Sequence, residues 1–215
     1  MELRKDLLKM LEKEGFSLSS ERLEQVILFY DLLQKENQVQ NLTRLSSPQE
    51  FCQYHVKDCL ELLKEEGLEF PALDLGSGGG VPGLLSALIG GQNWVLAESE
   101  GRKAQFLSRC VDTLGLSDQV QVVSDRAETY LKSHALGSVV ARAVGKVEKI
   151  YGWIRKCSTW NTLVLLKGPG WHQEWLEFQE SRFSGELRVE NERDYEIALE
   201  NKQRKIILLK RVLKS

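Results

Sequence analysis

Apolar positions change their period along the chain. Over residues 1–15, Leu3, Leu7, Leu8 and Leu11 recur at helical spacing and Gly15 supplies a stop. Ser19 or Ser20 starts a second helix, whose stripe of Leu23, Val26, Ile27, Tyr30, Leu32 and Leu33 runs to about Gln38. Ser47-Pro48-Gln49-Glu50 opens a third, with Ser47 as cap, Pro48 in the first turn and Glu50 completing a capping box. From Phe70 onward, short apolar runs at 70–75, 94–98, 120–123, 138–144 and 162–166 predict strands. Helical patterns at 84–89, 103–114 and 147–157 fall between them. That alternation specifies an α/β, doubly wound, mostly parallel sheet. Runs at 187–189 and 206–209 add closing strands antiparallel to each other. No strand follows either of the first two helices, so an N-terminal helical extension (1–65) is expected to pack on a core domain (66–215).

The first strand leads into Leu73-Asp74-Leu75-Gly76-Ser77-Gly78-Gly79-Gly80-Val81-Pro82-Gly83, with four glycines in the five residues 76–80. A loop with so few Cβ atoms exposes backbone N–H groups and lets a ligand approach closely, which suits an adenosine-containing cofactor. Three glycine-loop chemistries compete. A phosphate-gripping loop requires Lys and then Ser or Thr after the last glycine, where Leu84-Leu85 stands instead. A dinucleotide fingerprint is matched by Gly78, Gly80 and Gly83, but Pro82 interrupts it. In an S-adenosylmethionine loop one acidic residue ends the first strand, and a second ends the next strand to accept hydrogen bonds from ribose hydroxyls. Asp74 and Glu98 meet both conditions, at the roughly 20-residue spacing of a βαβ unit. This pairing favours a methyltransferase, with an NAD-dependent oxidoreductase as the competing class.

Composition narrows the context. The 215 residues are 42% hydrophobic and 28% charged, enough for one α/β domain with an extension. No apolar run approaches the roughly 20 residues that span a bilayer. The N-terminus has no signal-peptide core, so a cytoplasmic protein without a membrane partner is expected. Cys52, Cys59, Cys110 and Cys157 form no C-x-x-C pair and read as free core thiols. The three histidines include no H-E-x-x-H, so no metal site is expected, and no G-x-S-x-G is present. A net charge of −2 confines any nucleic-acid contact to a local patch. The concentrated basic segment is Lys202, Arg204, Lys205, Lys210, Arg211 and Lys214, read either as a phosphate contact or as a charged edge strand that blocks aggregation.

Other residues draw notice by position. His55 and Asp58 are three apart and share a helical face. Arg142 ends the fourth strand at the carboxyl edge, where such folds bind ligands, and an ion pair to Asp74 or Glu98 is its structural alternative. Trp171 and Trp175, four apart, are read as core in preference to base stacking.

Taken in order, Asn41-Leu42-Thr43, His55-x-x-Asp58, the loop ending Val81-Pro82-Gly83, Glu98-Ser99 with Lys103 and Phe106-Leu107, Arg126-Ala127-Glu128, Arg142-Ala143, Leu166-Lys167-Gly168 and Arg204 form a recognisable set. With these motifs the sequence resembles the RsmG (glucose-inhibited division protein B) family of small-subunit rRNA guanine-N7 methyltransferases. The resemblance covers nearly the whole chain. It matches poorly over 171–201, and Cys59 and Gly145 stand where the family often has serine and alanine. It implies a Rossmann-like methyltransferase fold, S-adenosyl-L-methionine as cofactor with S-adenosyl-L-homocysteine as product, and 16S rRNA or the small ribosomal subunit as partner; a monomer is expected. It further implies that Gly76, Gly78, Gly80 and Val81 line the methionine and ribose end, with Asp74, Ser77 and Pro82 also cofactor-binding and Glu98 holding the ribose. Ala127 and Glu128 would flank the adenine, and Arg142 would position substrate and cofactor at the reactive centre. Asn41, His55, Asp58, Arg126, Lys167 and Arg204 would lie on the RNA side.

The chemistry agrees with these residue types. Guanine N7 carries a lone pair and no proton, so its methylation needs no general base, and none is evident. An exocyclic-amine methylase would carry Asp/Asn-Pro-Pro-Tyr where Arg142-Ala143-Val144-Gly145 stands, and a C5-pyrimidine methylase would need a nucleophilic cysteine. The remaining alternatives are a methyltransferase acting on another RNA, a protein or a small molecule, and an RNA-binding module with a vestigial cofactor site.

Overall fold

A computed structural model describes residues 2–44 and 47–212; Lys214 of the basic segment lies outside the described residues. The chain opens with α1 (Glu2–Glu14) and α2 (Ser20–Gln40). Ser19 caps α2 by accepting from the Arg22 N–H at 3.1 Å, and Asn41 closes it in the left-handed conformation (φ 51°). Ser47 and Glu50 form the expected reciprocal capping box at the start of α3 (Pro48–Glu50). This turn continues through a π-helical stretch, Phe51–Val56, into α4 (Lys57–Leu63). The wider π turn bears His55 and leads into the first turn of α4, which bears Asp58.

The α/β core then runs β1 (Ala72–Leu75), α5 (Gly83–Gly90), β2 (Trp94–Ala97), α6 (Gly101–Thr113), β3 (Val120–Val123), α7 (Ala127–Tyr130), β4 (Leu136–Arg142), α8 (Val147–Ile154), β5 (Trp160–Lys167), α9 (Trp171–Glu180), β6 (Leu187–Ile197) and β7 (Lys202–Arg211). The sheet order is β3-β2-β1-β4-β5-β7-β6; the first five strands are parallel, and β7 and β6 run antiparallel. Strand order reverses between β1 and β4, so a crevice opens at their carboxyl ends.

Alternation along the strands divides the core into two layers. Leu73, Leu75, Val139, Ala141, Leu163, Leu165, Ile207 and Leu209 pack with Ile150, Ile154 and Phe178 of α8 and α9. Ala72, Leu96, Val140, Val164, Ile206 and Leu208 face the other way, against Phe29 and Leu33 of α2, Leu60 of α4, Leu84 of α5 and Phe106 of α6. The N-terminal helices thus share one apolar layer with the sheet, and each fully buried Leu or Phe stabilises that union by roughly 1.5–3 kcal/mol. No described helix is long and apolar enough to cross a membrane.

Several boundaries differ from the pattern-based expectation. β6 has 11 residues where only 187–189 was expected, because a register shift between Val189 and Asn191 breaks the apolar alternation and charged side chains fill the outer strand. β4 stops at Arg142, where Ala143 turns to φ 58°. α5 begins at Gly83, with Pro82 at its N-cap position. β7 is not the edge strand: β6 covers it. Lys205 accordingly pairs with Glu192 and Asp194 at 2.7 Å each, and Arg211 donates to the Cys157 carbonyl while lying 3.8 Å from the Trp160 ring centroid. Those charges serve the sheet, leaving Lys202 and Arg204 of β7 beside the crevice. Trp171 is buried and Trp175 half-buried in the core layer under α9.

Candidate functional site

The glycine loop is held from behind by Asp74. Its Oδ2 accepts from the Gly83 N–H at 2.9 Å, and Ser77 Oγ donates to the Asp74 carbonyl at 2.9 Å, which ties the start of α5 to the end of β1. A Cβ on Gly83 would stand 2.5 Å from Leu96 and 2.7 Å from Asp74 Cβ, so only glycine fits there. Gly80 sits at φ 88° between Leu84 and Leu107 and needs the left-handed conformation. Burial pushes the Asp74 carboxyl up to about 7 against the opposing pull of the Gly83 N–H and Arg142.

Glu98, at the end of β2, is fixed through both oxygens. Oε2 accepts from the Gly78 N–H at 2.9 Å and Oε1 from the Glu100 N–H at 2.8 Å. It lines a main cavity of about 850 Å³ whose walls also include Leu33 and Leu42 from the N-terminal region, Gly76, Gly78 and Val81 from the loop, and Arg142 and Arg204. A second cavity of about 240 Å³ lies between Leu75, Ala97, Asp125, Ala127, Glu128, Val144 and Trp153. Gly76 and Val144 line both, so a ligand passing over Gly76 reaches from one into the other. A third, of about 290 Å³, adjoins the main cavity through Arg142, Ala143, Lys202 and Arg204 and has Lys167 on its wall.

Behind the main cavity a single carboxylate organises the cationic side chains. Asp58, fully buried, accepts at Oδ2 from Arg142 Nε at 2.8 Å and from Arg204 Nη1, and at Oδ1 from the Tyr195 hydroxyl at 2.7 Å. Arg204 also lies 5.4 Å from the Tyr54 ring centroid. Arg142 Nη2 donates to His55 Nδ1 at 3.1 Å. A guanidinium has no acceptor, so Nδ1 is unprotonated, and the network assigns the ring proton to Nε2, which donates to Thr43 Oγ1 at 3.3 Å. Burial and then the two arginines hold His55 well below its ordinary value, so the ring is neutral. Two guanidiniums against one carboxylate leave this wall with excess positive charge.

A family model described as rRNA small subunit methyltransferase G matches residues 22–207. The chain belongs to the rRNA small subunit methyltransferase G family. Relatives of that name include one from Pseudomonas syringae pv. tomato, 33% identical over 150 residues (69% of this chain, 70% of the relative). Another, from Pseudomonas paraeruginosa, is 29% identical over 208 residues and covers 96% of this chain and 94% of its own. Among solved structures, a variant of MtNAS in complex with S-adenosylmethionine superposes with a TM-score of 0.58 at 19% identity, covering 89% of this chain and 76% of that one. Streptococcus pneumoniae Sp1610, bound to S-adenosyl-L-methionine, gives 0.55 at 16% identity over 74% of each chain. These likenesses show the Rossmann-like fold.

In this member of the methyltransferase G family, the residues singled out in the sequence divide into four groups. Gly76, Ser77, Gly78, Val81, Glu98, His55, Arg142 and Arg204 meet around the main cavity, and Arg126, Ala127 and Glu128 around the second. Lys167 lies on the third, where its Nζ donates to the Gly145 carbonyl at 2.8 Å and to Glu174 at 2.6 Å. Asp74, Gly80, Pro82, Asn41 and Asp58 line none of these cavities: Asp74 and Asp58 are buried supports, and Asn41 terminates α2. Arg142 pairs with Asp58, not with the Asp74 or Glu98 of its structural alternative. Sequence reasoning missed Tyr195, Arg44, Tyr54 and Trp153. Tyr195 is paired with Arg204 across the β6–β7 ladder, and a full-length β6 is the signal that would have revealed it.

Proposed function

We propose that this member of the family methylates N7 of a guanine in 16S rRNA, using S-adenosylmethionine as methyl donor. The observation that carries the reading is that Glu98, held by the Gly78 N–H, and Arg142, held by Asp58, face one cavity from opposite sides of the glycine loop. The pocket fits the donor: a carboxylate stands where ribose hydroxyls would be accepted, a loop without Cβ atoms at Gly76 and Gly78 lets the ligand lie close, and a second cavity continues past Gly76.

S-adenosylmethionine, when bound, supplies an electrophilic methyl group on a sulfonium. The protein's task is to hold the acceptor nitrogen in line with that methyl, which is positioning work that lowers a barrier by several kcal/mol. The N7 lone pair forms the new bond as the carbon–sulfur bond breaks, so no proton moves at N7 and the neutral His55 has none to abstract. Arg142 has Nε committed to Asp58 and Nη2 to His55, so its orientation is set before substrate arrives. Its remaining N–H donors suit the guanine O6 edge or an adjacent phosphate. Leu33 and Leu42 narrow the main cavity on the side of the N-terminal helices.

The test is isothermal titration of S-adenosylhomocysteine, followed by labelled methyl transfer to small ribosomal subunits that lack the modification. Label recovered as 7-methylguanine is expected. Arg142→Ala should reduce transfer by about a hundredfold, the scale for losing an aligned donor, while still binding S-adenosylhomocysteine. Label in a different base, or transfer to subunits unaffected by Arg142→Ala, would overturn the reading.

A further inference from the structure

The second cavity has an aromatic wall to which neither the sequence motifs nor the proposed transfer gives a task. Leu75, Ala97, Ala127 and Val144 give it apolar surface, and Ser99, Asp125, Arg126 and Glu128 add polar groups. Among the described residues lining it, Trp153 of α8 is the one aromatic. Its indole is half-buried on the core layer beneath α8, which limits its movement. Lys149, one turn earlier on α8, has its Nζ 5.2 Å from the indole centroid, so an ammonium already accompanies the ring. A flat heterocycle entering this space meets indole on one wall and the aliphatic carbons of Leu75, Ala97, Ala127 and Val144 on others, with polar groups of Ser99, Asp125, Arg126 and Glu128 also on the lining. Gly76 and Val144 join the cavity to the one containing Glu98, so a nucleoside whose ribose is held at Glu98 directs its base here.

We propose that Trp153 is a positioning residue for the cofactor, its indole forming the wall against which the adenine base packs. This rests on the S-adenosylmethionine reading of the site. An indole against a purine combines apolar burial with favourable ring–ring geometry. It makes no contact with the transferred methyl, so its loss should raise the cofactor KM and leave kcat nearly intact.

The experiment uses the full chain with S-adenosylhomocysteine as probe, followed by tryptophan emission and calorimetry. Binding is expected to change the emission of the parent protein and of Trp175→Phe, whose half-buried indole lies under α9 away from the cavity. Trp153→Phe should lose most of that emission change yet bind within about threefold of the parent, because it keeps an aromatic wall. Trp153→Ala should weaken both S-adenosylhomocysteine and adenosine by about tenfold. An emission change that survives in Trp153→Phe, or an alanine variant that binds within about threefold of the parent, overturns the proposal. If Trp153→Ala does not fold, the phenylalanine variant still decides through its emission. Failure of the parent protein to bind S-adenosylhomocysteine at all would instead remove the methyltransferase reading itself.

Discussion

Asp58 shows how a residue can govern a site it does not line. With no exposed surface, its carboxylate can act only through the groups that donate to it, Arg142, Arg204 and Tyr195. Asp58→Asn keeps the shape but removes the charge that orients both guanidiniums, so methyl transfer should fall by at least about tenfold with cofactor affinity retained, as for other orienting partners. Equal loss of cofactor binding would mean that the cluster supports the whole pocket. Two further buried groups predict opposite pH behaviour. Asp74 titrates near 7 when folded and near 4 when unfolded, so the folded state holds its proton more tightly. Its stabilising contribution is complete below about pH 4 and lost as pH rises through about 7. Asp74→Asn should therefore gain in Tm relative to the parent between pH 5 and 8. His55 is displaced downward, so the unfolded chain takes up the proton first and stability is lost as pH falls below about 6.5. His55→Gln should remove that loss, and a parent Tm that tracks the variant's down to pH 5 would contradict it.

At the scale of elements, the outer part of the β6–β7 hairpin carries what the sequence concealed. The parallel core was legible because its strands are short apolar runs between periodic helices, and the loop from Asp74 to Gly83 announced itself through its glycines. The hairpin was legible only in part: its antiparallel pair was expected from the runs at 187–189 and 206–209, but the rest of β6 was not, because it is an outer strand rich in charged side chains and its bulge shifts the alternation. Yet Tyr195 on β6 and Arg204 on β7 complete the Asp58 cluster. Tyr195→Phe leaves one buried carboxylate oxygen without its donor and should cost about 1–3 kcal/mol in chemical denaturation. The same variant should reduce transfer, since Arg204 then rests on an altered Asp58. Denaturation midpoints indistinguishable from the parent would show the hydroxyl to be idle. The individual roles of His55 and Asp58 were equally illegible: spacing put them on one face, but only the meeting of α4, β4, β6 and β7 reveals that one lines the cavity and the other supports it from behind.

For the whole molecule, the two halves of the site have different origins along the chain. Glu98, the glycine loop, Ala127 and Glu128 all lie within the first three parallel strands and the segments that follow them, whereas Arg142 is held by Asp58 and His55 of the N-terminal region, and Asp58 in turn accepts from Tyr195 and Arg204 of the hairpin. β7, the last strand in sequence, enters the sheet between β5 and β6 and so seals the interior instead of decorating its rim. Asp58, from the helices that precede the sheet, thus meets Tyr195 and Arg204, from the hairpin that closes it, at one carboxylate. The cluster works as a rivet between two remote parts of the fold, so loosening either the N-terminal helices or the hairpin is transmitted to the guanidinium of Arg142.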